Sequence, residues 1–252
     1  MTTTVAIVLA AGKGTRMASD LPKVLHVMNG EPLVAYPIRA ARAAGAEVVV
    51  TVVGYEGERV RQEVRGRFAE AAAGPDWLRF ATQAEQLGTG HAVMCALPEL
   101  ARAQGVALVL SGDVPLLTAQ TLKTLTERCL QVGSGLALTT FHPPDPTGYG
   151  RIRRDGAGRV VGIVEHRDAS AAERAIQECN AGTYAVGLEH LRADLPRLGR
   201  SNAQGEIYLT DLVELASARG EVAAVRIDPV EAAGINTPEQ LAQLEAIATQ
   251  RG

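Results

Sequence analysis

A glycine-rich stretch near the N-terminus carries the first chemistry in this sequence. Residues 5–17 read V-A-I-V-L-A-A-G-K-G-T-R-M, an apolar run followed by small residues and Arg16, and Lys23 comes shortly after. Small residues let a backbone approach a ligand closely, and N–H groups of a loop after a buried strand can point at anionic oxygens. The stretch therefore predicts a phosphate-binding loop. A tight turn with basic residues on the surface is the alternative interpretation.

The two common phosphate-loop patterns do not fit this stretch. Met17 stands where the dinucleotide fingerprint requires its third glycine, and Thr15-Arg16 follow Gly14 where a P-loop requires lysine and then serine or threonine. What remains, L-A-A-G-x-G-T-R-M followed by L-P-K at residues 21–23, resembles the signature of sugar-1-phosphate nucleotidylyltransferases.

A carboxylate follows the apolar run 106–110, in the segment S-G-D-V-P. Polar groups at the carboxyl end of a buried parallel strand face the ligand crevice of an α/β sheet. Mg²⁺ prefers oxygen ligands and keeps several waters, so Asp113 is a candidate magnesium ligand. A turn-capping role before Pro115 is the alternative. Asn236 is a candidate second oxygen ligand, or else a loop or cap residue before the last helix.

The loop Q-A-E-Q-L-G-T-G-H at residues 83–91 joins a predicted strand to a predicted helix and could hold a base. The amide of Gln83 offers one donor and one acceptor, as the edge of uracil requires. Because an amide can flip, glutamine alone cannot distinguish uracil from cytosine, and backbone groups of Gly88 and Thr89 would have to do so. A simple helix-entry loop is the alternative.

Weaker candidates follow in the second half. Gly150 suggests close approach to a ligand, and Glu165 and Asn180 suggest hydrogen bonds to sugar hydroxyls and an amide, although a single Glu on a strand is usually solvated. His91 and His166 each follow a motif, but a single histidine is more often a surface or hydrogen-bonded structural residue. No arrangement of Ser, Cys, His and Asp indicates a covalent nucleophile.

Composition narrows the class of protein. The chain has 252 residues, 46% hydrophobic and 21% charged, with a formal net charge of −3, so nucleic acid is not an expected bulk partner. Hydropathy predicts no membrane span, and the N-terminus lacks the features of an export signal. The three cysteines, Cys95, Cys129 and Cys179, have no metal-type spacing and are expected to be buried reduced thiols in the cytoplasm.

Strands alternate with helices through the first half, which predicts an α/β fold with a Rossmann-like, doubly wound, mainly parallel sheet. After residue 141 the rhythm changes, and residues 139–198 are expected to form an antiparallel insertion beside the sheet. The predicted strands span 5–9, 25–28, 47–53, 78–82, 106–110, 136–141, 150–154, 160–164, 177–187 and 222–227. The predicted helices span 32–44, 58–73, 89–102, 119–132, 190–198, 208–219 and 238–249. Pro37 is expected to kink the first of these helices or to delay its start. The second helix is expected to end before the break at Gly74-Pro75, and Thr89 is expected to cap the third.

Taken together, seven motifs closely resemble the uridylyltransferase domain of GlmU-type N-acetylglucosamine-1-phosphate uridylyltransferases, over nearly the whole chain. In order they are L-A-A-G-K-G-T-R-M, D-L-P-K-V-L-H, Q-A-E-Q-L-G-T-G-H-A, G-D-V-P-L, D-P-T-G-Y-G-R-I, G-I-V-E-H and N-A-Q-G-E-I-Y-L-T-D. The resemblance implies a nucleotide-diphospho-sugar transferase fold. It also implies Mg²⁺-dependent conversion of UTP and N-acetylglucosamine 1-phosphate to UDP-N-acetylglucosamine, a cell-wall precursor, and diphosphate.

The resemblance also implies roles by position. Catalytic contacts with the phosphates would come from Arg16 and Lys23, and the metal would be held by Asp113 and Asn236. Nucleotide contacts would come from Leu9, Ala10, Ala11, Gly12, Lys23, Gln83, Gly88, Thr89, Ser111, Gly112 and Asp113, and sugar contacts from Gly150, Glu165, Asn180 and Asn236. Ser111, where the family often has another residue, and the residues flanking Asn180 depart from the family pattern.

Such enzymes usually continue into a C-terminal acetyltransferase domain of hexapeptide repeats, for which residues 228–252 leave no room. The expectation is therefore a single uridylyltransferase domain over 1–252, monomeric and without acetyltransferase activity. Two alternatives remain open at this point: a uridylyl- or thymidylyltransferase for another sugar 1-phosphate, and a non-catalytic nucleotide-sugar sensor.

Overall fold

The computed structural model describes residues 2–17, 19–69 and 76–251, which form a sheet covered by helices on both faces. The strands are β1 (Thr4–Ala10), β2 (Val27–Met28), β3 (Glu31–Pro32), β4 (Val48–Val53), β5 (Leu78–Thr82), β6 (Val106–Ser111), β7 (Leu136–Phe141), β8 (Arg151–Arg154), β9 (Val160–Val164), β10 (Cys179–Gly187) and β11 (Ala223–Arg226). The helices are α1 (Ala35–Ala43), α2 (Gly57–Arg67), α3 (Thr89–Ala96), α4 (Ala119–Gln131), α5 (Ala171–Arg174), α6 (Leu188–Asp194), α7 (Leu212–Ser217) and α8 (Pro238–Arg251).

The central sheet has the strand order β11-β7-β10-β6-β1-β4-β5. Strands β5, β4, β1 and β6 run parallel, as do β7 and β11, while β10 runs antiparallel between β6 and β7. The predicted α/β class with a mainly parallel sheet is confirmed. Within 139–198, strands β8 and β9 form a hairpin attached to β10, whereas β10 itself is an interior strand.

The sheet is stable because alternate side chains of its buried strands enter two separate cores. On β1, Ala6 and Val8 belong to one core with side chains of α1 and α4, while Val5 and Ile7 belong to a second core, on the other face, with side chains of α3 and α7. All four side chains are fully buried, which a strand with helices on both faces requires. A third cluster joins α8 to the β2–β3 hairpin and the region after β1.

Proline accounts for two of the differences between predicted and observed helices. Helix α1 begins at Ala35 because Pro37 is tolerated only in the first turn, where backbone N–H groups have no partner, so the predicted delay of its start is confirmed. The helix predicted over 89–102 ends at Ala96 and continues as a 3₁₀ turn, Leu97–Leu100, containing Pro98.

Other helix bounds also differ from the predictions. Helix α2 ends at Arg67, and the predicted break at Gly74-Pro75 lies outside the described residues. The predicted helix 208–219 is a 3₁₀ turn, Leu209–Asp211, followed by α7. Among the helices of the described chain, none combines the length and the hydropathy that crossing a bilayer requires.

Three local features concern a turn, a helix cap and the cysteines. Asn29 and Gly30 both have positive φ and form the turn between β2 and β3. Thr89 does not cap α3: Gly88 is the N-cap residue, and the Thr89 hydroxyl accepts a hydrogen bond from the Leu209 N–H at 3.1 Å instead. The three cysteines are free thiols, with Cys129 and Cys179 buried and Cys95 only half-buried.

Candidate active site

The carboxyl ends of β1, β4 and β6 meet at one edge of the sheet, where the predicted ligand loops lie. The Gly112 N–H after β6 donates to Leu9 O at 2.9 Å, so the loop after β6 crosses directly beside the end of β1. At Gly14, with φ of +66°, a Cβ atom would collide with the side chain of Lys23. This glycine lets the loop after β1 lie against the segment that carries Lys23.

Four of the predicted residues form one cluster at this edge. The Lys23 ammonium donates to Asp113 Oδ2 and, at 3.1 Å, to Asn236 Oδ1. Arg16 Nη2 donates to the same Asn236 oxygen at 2.9 Å. The side chains of Lys23 and Asp113 are 17% and 18% exposed, so this pair is shielded but still open to a ligand. Residues far apart in the sequence thus place two cations and two oxygen ligands together.

Asn236 reaches this cluster because its loop is tied to β6 and to α8. The Ile235 N–H donates to Asp113 O at 2.9 Å, which joins the loop to the chain just after β6. The Asn236 N–H donates to Gln240 Oε1 at 2.7 Å, within the first turn of α8. The backbone of Asn236 is therefore held from both sides, and its amide oxygen is directed at the two cations.

The oxygens of Asp113 and Asn236 suit a magnesium ion. Both accept hydrogen bonds from the same lysine nitrogen, so one cation can face both oxygens. Mg²⁺ commonly takes one or two protein oxygens and completes its octahedron with waters and substrate phosphates. In the described part of the chain no group of three or more His, Cys, Asp or Glu side chains could hold a metal, so a closed protein cage is not available there.

A cavity of about 210 Å³ lies beside this edge of the sheet. It is lined by Leu9, Ala11, Gly12, Gln83, Gln86, Gly88, Thr89, Ala92 and Glu206. Six of the predicted nucleotide contacts are thus brought together, whereas the Ala10 side chain is 2% exposed and packs in the core. Gln86 was not predicted, and its Nε2 donates to Ala11 O at 2.8 Å, which ties the loop 83–91 to the loop after β1.

The segment before α7 forms a wall behind the loop 83–91. The Ile207 N–H donates to Leu87 O at 2.7 Å, and Ile207 O accepts from the Gly90 N–H at 2.8 Å. Gly88 has φ of +105°, and a Cβ there would lie 2.6 Å from Ile207 O, so only glycine allows this close approach. The sequence signal for this wall was the motif N-A-Q-G-E-I-Y-L-T-D, to which no site residue had been assigned.

Gly150 and Glu165 form a second group, on the β8–β9 hairpin. A Cβ at Gly150 would lie 3.4 Å from Glu165 Oε2, and Thr210 Oγ1 donates to Glu165 Oε1 at 3.1 Å. Burial raises the pKa of Glu165, the Thr210 hydroxyl opposes this shift, and the negative charges of Asp168 and Asp211 add to it. Sequence reasoning missed Thr210, which lies far along the chain from Glu165.

Asn180 lies at the irregular part of β10, where the strand register shifts. Its Nδ2 donates to the Tyr184 hydroxyl at 2.7 Å, its Oδ1 accepts from the Gly182 N–H at 3.0 Å, and its own N–H donates to Gly150 O at 2.9 Å. A Cβ at Gly182 would lie 3.9 Å from Ser111 Oγ, so this bulge reaches the end of β6. Asn180 therefore links Gly150 to the strand that ends in Ser111.

A doubly wound sheet with small residues, two cations and an acid at its carboxyl edge is typical of α/β proteins that bind nucleotides. The chain belongs to the MobA-like NTP transferase domain family, and the match covers residues 6–181. The fold and this membership agree with the nucleotide-diphospho-sugar transferase fold that the motifs predicted.

Named relatives match almost the full length of this chain. It is 48% identical over 246 residues to the Bifunctional protein GlmU of Anaeromyxobacter sp. (strain Fw109-5), covering 98% of this chain and 49% of that protein. It is 48% identical over 253 residues to the protein of the same name from Trichlorobacter lovleyi, covering 53% of it. The corresponding protein of Cellvibrio japonicus is 49% identical over 249 residues and is covered to 52%. The chain thus spans about half the length of these relatives.

Proposed function

We propose that this chain catalyses uridylyl transfer from UTP to N-acetylglucosamine 1-phosphate, giving UDP-N-acetylglucosamine and diphosphate. The observation that carries the proposal is the cluster of Arg16, Lys23, Asp113 and Asn236 beside the cavity that contains Gln83. High identity to proteins named Bifunctional protein GlmU supports the same choice of substrates.

The residues of the cluster suit a displacement at the α-phosphorus of UTP. A sugar phosphate is largely dianionic at neutral pH, since its second pKa is about 6, so no general base is needed to activate it. Two anions must instead be brought into line while their charges are neutralised. Arg16 offers a planar fork to phosphate oxygens, and Lys23 offers a compact ammonium beside Asp113.

A magnesium ion held by Asp113 and Asn236 would supply additional neutralisation of the phosphate oxygens. The remaining groups orient the substrates: Gln83, Gly88 and Thr89 at the base, and Gly150, Glu165 and Asn180 at the sugar. The backbone of Ile207, through its two hydrogen bonds with Leu87 and Gly90, holds loop 83–91 in place for the base. Each of these roles is part of the proposal.

The direct test is an assay of diphosphate release from UTP and N-acetylglucosamine 1-phosphate with Mg²⁺. The same assay across glucose, galactose and glucosamine 1-phosphates, and with dTTP in place of UTP, separates this function from transfer to another sugar or from another nucleotide. Tight binding of UDP-N-acetylglucosamine without any diphosphate release would support the non-catalytic sensor instead.

The stereochemistry of the reaction gives a second, independent test. With a chiral α-thio analogue of UTP, a single in-line displacement inverts the configuration at phosphorus, whereas a covalent nucleotidyl-enzyme intermediate gives net retention. We expect inversion, because the sugar phosphate attacks directly and no protein nucleophile is proposed. Net retention would contradict the proposed mechanism but not the proposed choice of substrates.

We also propose that the 252-residue chain by itself is a cytoplasmic monomer. Among the described residues, the exposed large hydrophobic side chains are Val27 and Leu130, which belong to different elements and form no patch of the kind that marks an obligate interface. The free thiols agree with a reducing compartment. Light scattering that gave the mass of a dimer or trimer would contradict the monomer.

A further inference from the structure

The residues around Gln83 determine which way its side-chain amide is oriented, with the NH₂ group on one side and the oxygen on the other. Its Nε2 lies 3.0 Å from Gly88 O and 3.2 Å from His91 Nδ1. A carbonyl oxygen can only accept, so the group facing Gly88 O must be the NH₂ group and not the amide oxygen. The same NH₂ group then gives its second hydrogen to His91 Nδ1.

His91 can accept that hydrogen in one neutral form of its ring. If Nδ1 accepts, the ring proton is on Nε2, and Nε2 lies 3.7 Å from the sulfur of Cys95. Burial raises the pKa of the Cys95 thiol, so its sulfur is uncharged and can accept a weak hydrogen bond. The chain from Cys95 through His91 to Gln83 is thus consistent at every donor and acceptor.

This arrangement leaves the amide oxygen of Gln83 for a ligand. Gln83 is 5% exposed and lines the cavity, and within the described part of the chain its Oε1 takes part in no hydrogen bond. The N–H groups of Gly88 and Thr89 also lack protein acceptors among the described residues, and both residues line the same cavity. The site therefore presents backbone donors together with one fixed acceptor.

A protein donor beside a protein acceptor pairs with O4 and N3–H of uracil. Cytosine, whose amino group donates and whose N3 accepts, requires the protein donor and acceptor in the opposite order. A freely flipping glutamine would accept either base, because its two ends exchange donor for acceptor. We propose that His91 is a positioning residue that, together with Gly88 O, holds Gln83 with its oxygen toward the base, and thereby makes the site select uracil over cytosine. The inference rests on the proposed use of a uridine nucleotide and adds the device that chooses the base.

Two variants with similar shapes separate the hydrogen bond from simple packing. His91→Leu removes the acceptor, whereas His91→Asn can place an amide oxygen near the position of Nδ1. We expect the ratio of kcat/KM for UTP over CTP to fall about tenfold or more in His91→Leu, and to stay within about threefold of the wild-type ratio in His91→Asn. His142→Leu, the same change at an exposed histidine outside the cavity, should leave the ratio unchanged.

Dissociation constants for UTP and CTP, measured without the sugar phosphate, keep this test separate from the test of catalysis. If the protein bound UTP more tightly than CTP but catalysed no transfer, the proposed function would be contradicted. The ratio of the two dissociation constants in each variant would still test the role of His91. Equal affinity of the wild type for UTP and CTP would overturn the inference, as would a folded His91→Leu variant with the wild-type ratio.

Nitrogen NMR of the wild-type protein gives a readout that does not depend on any variant remaining folded. Histidine ¹⁵N shifts distinguish the two neutral ring forms, and we expect His91 to carry its proton on Nε2. A proton on Nδ1 would place a donor against the Gln83 NH₂ group and would contradict the proposed role.

Discussion

Lys23 and Asp113, 90 residues apart in the sequence, form an ion pair at the carboxyl edge of the sheet. Asp113 follows β6, and Lys23 lies in the 3₁₀ turn that follows the glycine-rich loop. The pair holds a cation and a carboxylate ready at the place where phosphates and a metal are proposed to bind. Such preorganisation reduces the reorganisation that the site must undergo during the reaction.

Asp113→Asn should remove most of the activity while leaving the chain folded. The change replaces a charged metal ligand with a neutral one, and it also removes the counterion of Lys23. Diphosphate release measured across a magnesium titration should fall most at limiting Mg²⁺. Asp76→Asn, at a carboxylate 78% exposed in a surface ion pair, is the matched control. Near-full turnover of Asp113→Asn at limiting Mg²⁺ would contradict the metal role.

Arg16→Ala should lower kcat by about a hundredfold or more, since a positioned donor to developing charge contributes on the order of 3 kcal/mol in the transition state. The melting temperature should change little, because the side chain is exposed and, among the described residues, its one hydrogen bond to protein is to Asn236 Oδ1. Arg159→Ala, at an arginine 68% exposed, should leave kcat unchanged. If kcat of the Arg16→Ala variant fell by less than about tenfold, this would count against a contact between Arg16 and the triphosphate.

Asn180→Ala should raise the KM for N-acetylglucosamine 1-phosphate by about tenfold and change the KM for UTP little, because a partly buried hydrogen-bond partner is lost on the sugar side only. Asn180 also holds the bulge of β10 through Gly182 and Tyr184. Tyr184→Phe removes one of these internal contacts and keeps the amide, so it separates sugar contact from loop support. Equal changes in both KM values would refute a sugar-specific role.

Glu165→Gln should alter the dependence of stability on pH in a definite direction. Burial raises the pKa of Glu165 above its ordinary value near 4.5, so the folded state binds more protons than the unfolded state between the two pKa values. Stability therefore falls as the pH rises through that interval, and the variant, which cannot ionise, escapes this loss. In thermal melts, the melting temperature of the variant should increase relative to that of the wild type as the pH rises above 4.5.

The same variant provides a check on the cause. The glutamine oxygen can still accept from Thr210, so the hydrogen bond at 3.1 Å in the wild type need not be lost. Neighbouring Asp211 also has its pKa raised, by burial first and then by the charges of Glu214 and Asp168, and it retains that contribution in both proteins. A melting difference independent of pH would show that ionisation of Glu165 is not responsible.

Much of the fold could be predicted because most strands coincide with short, strongly apolar runs of consecutive residues. The strand 78–82 was predicted at its observed bounds, and β4 and β6 differ from their predictions by one residue. The interior position of β10 could not be predicted in this way, because it depends on pairing with β6 and β7, strands that lie earlier in the chain. Periodicity identifies a strand but does not identify its neighbours.

By itself, the sequence determined the α/β class, the loop after β1, and the residue types that could meet phosphate, metal, base and sugar. These are local properties, since apolar runs, glycines and charged side chains act through nearest neighbours in the chain. Only the tertiary structure decided that Asn236 meets Arg16 and Lys23, and that Gly88 O and His91 orient the amide of Gln83. Hydrogen bonds depend on distances of about 3 Å and on direction, which chain packing sets and sequence spacing does not.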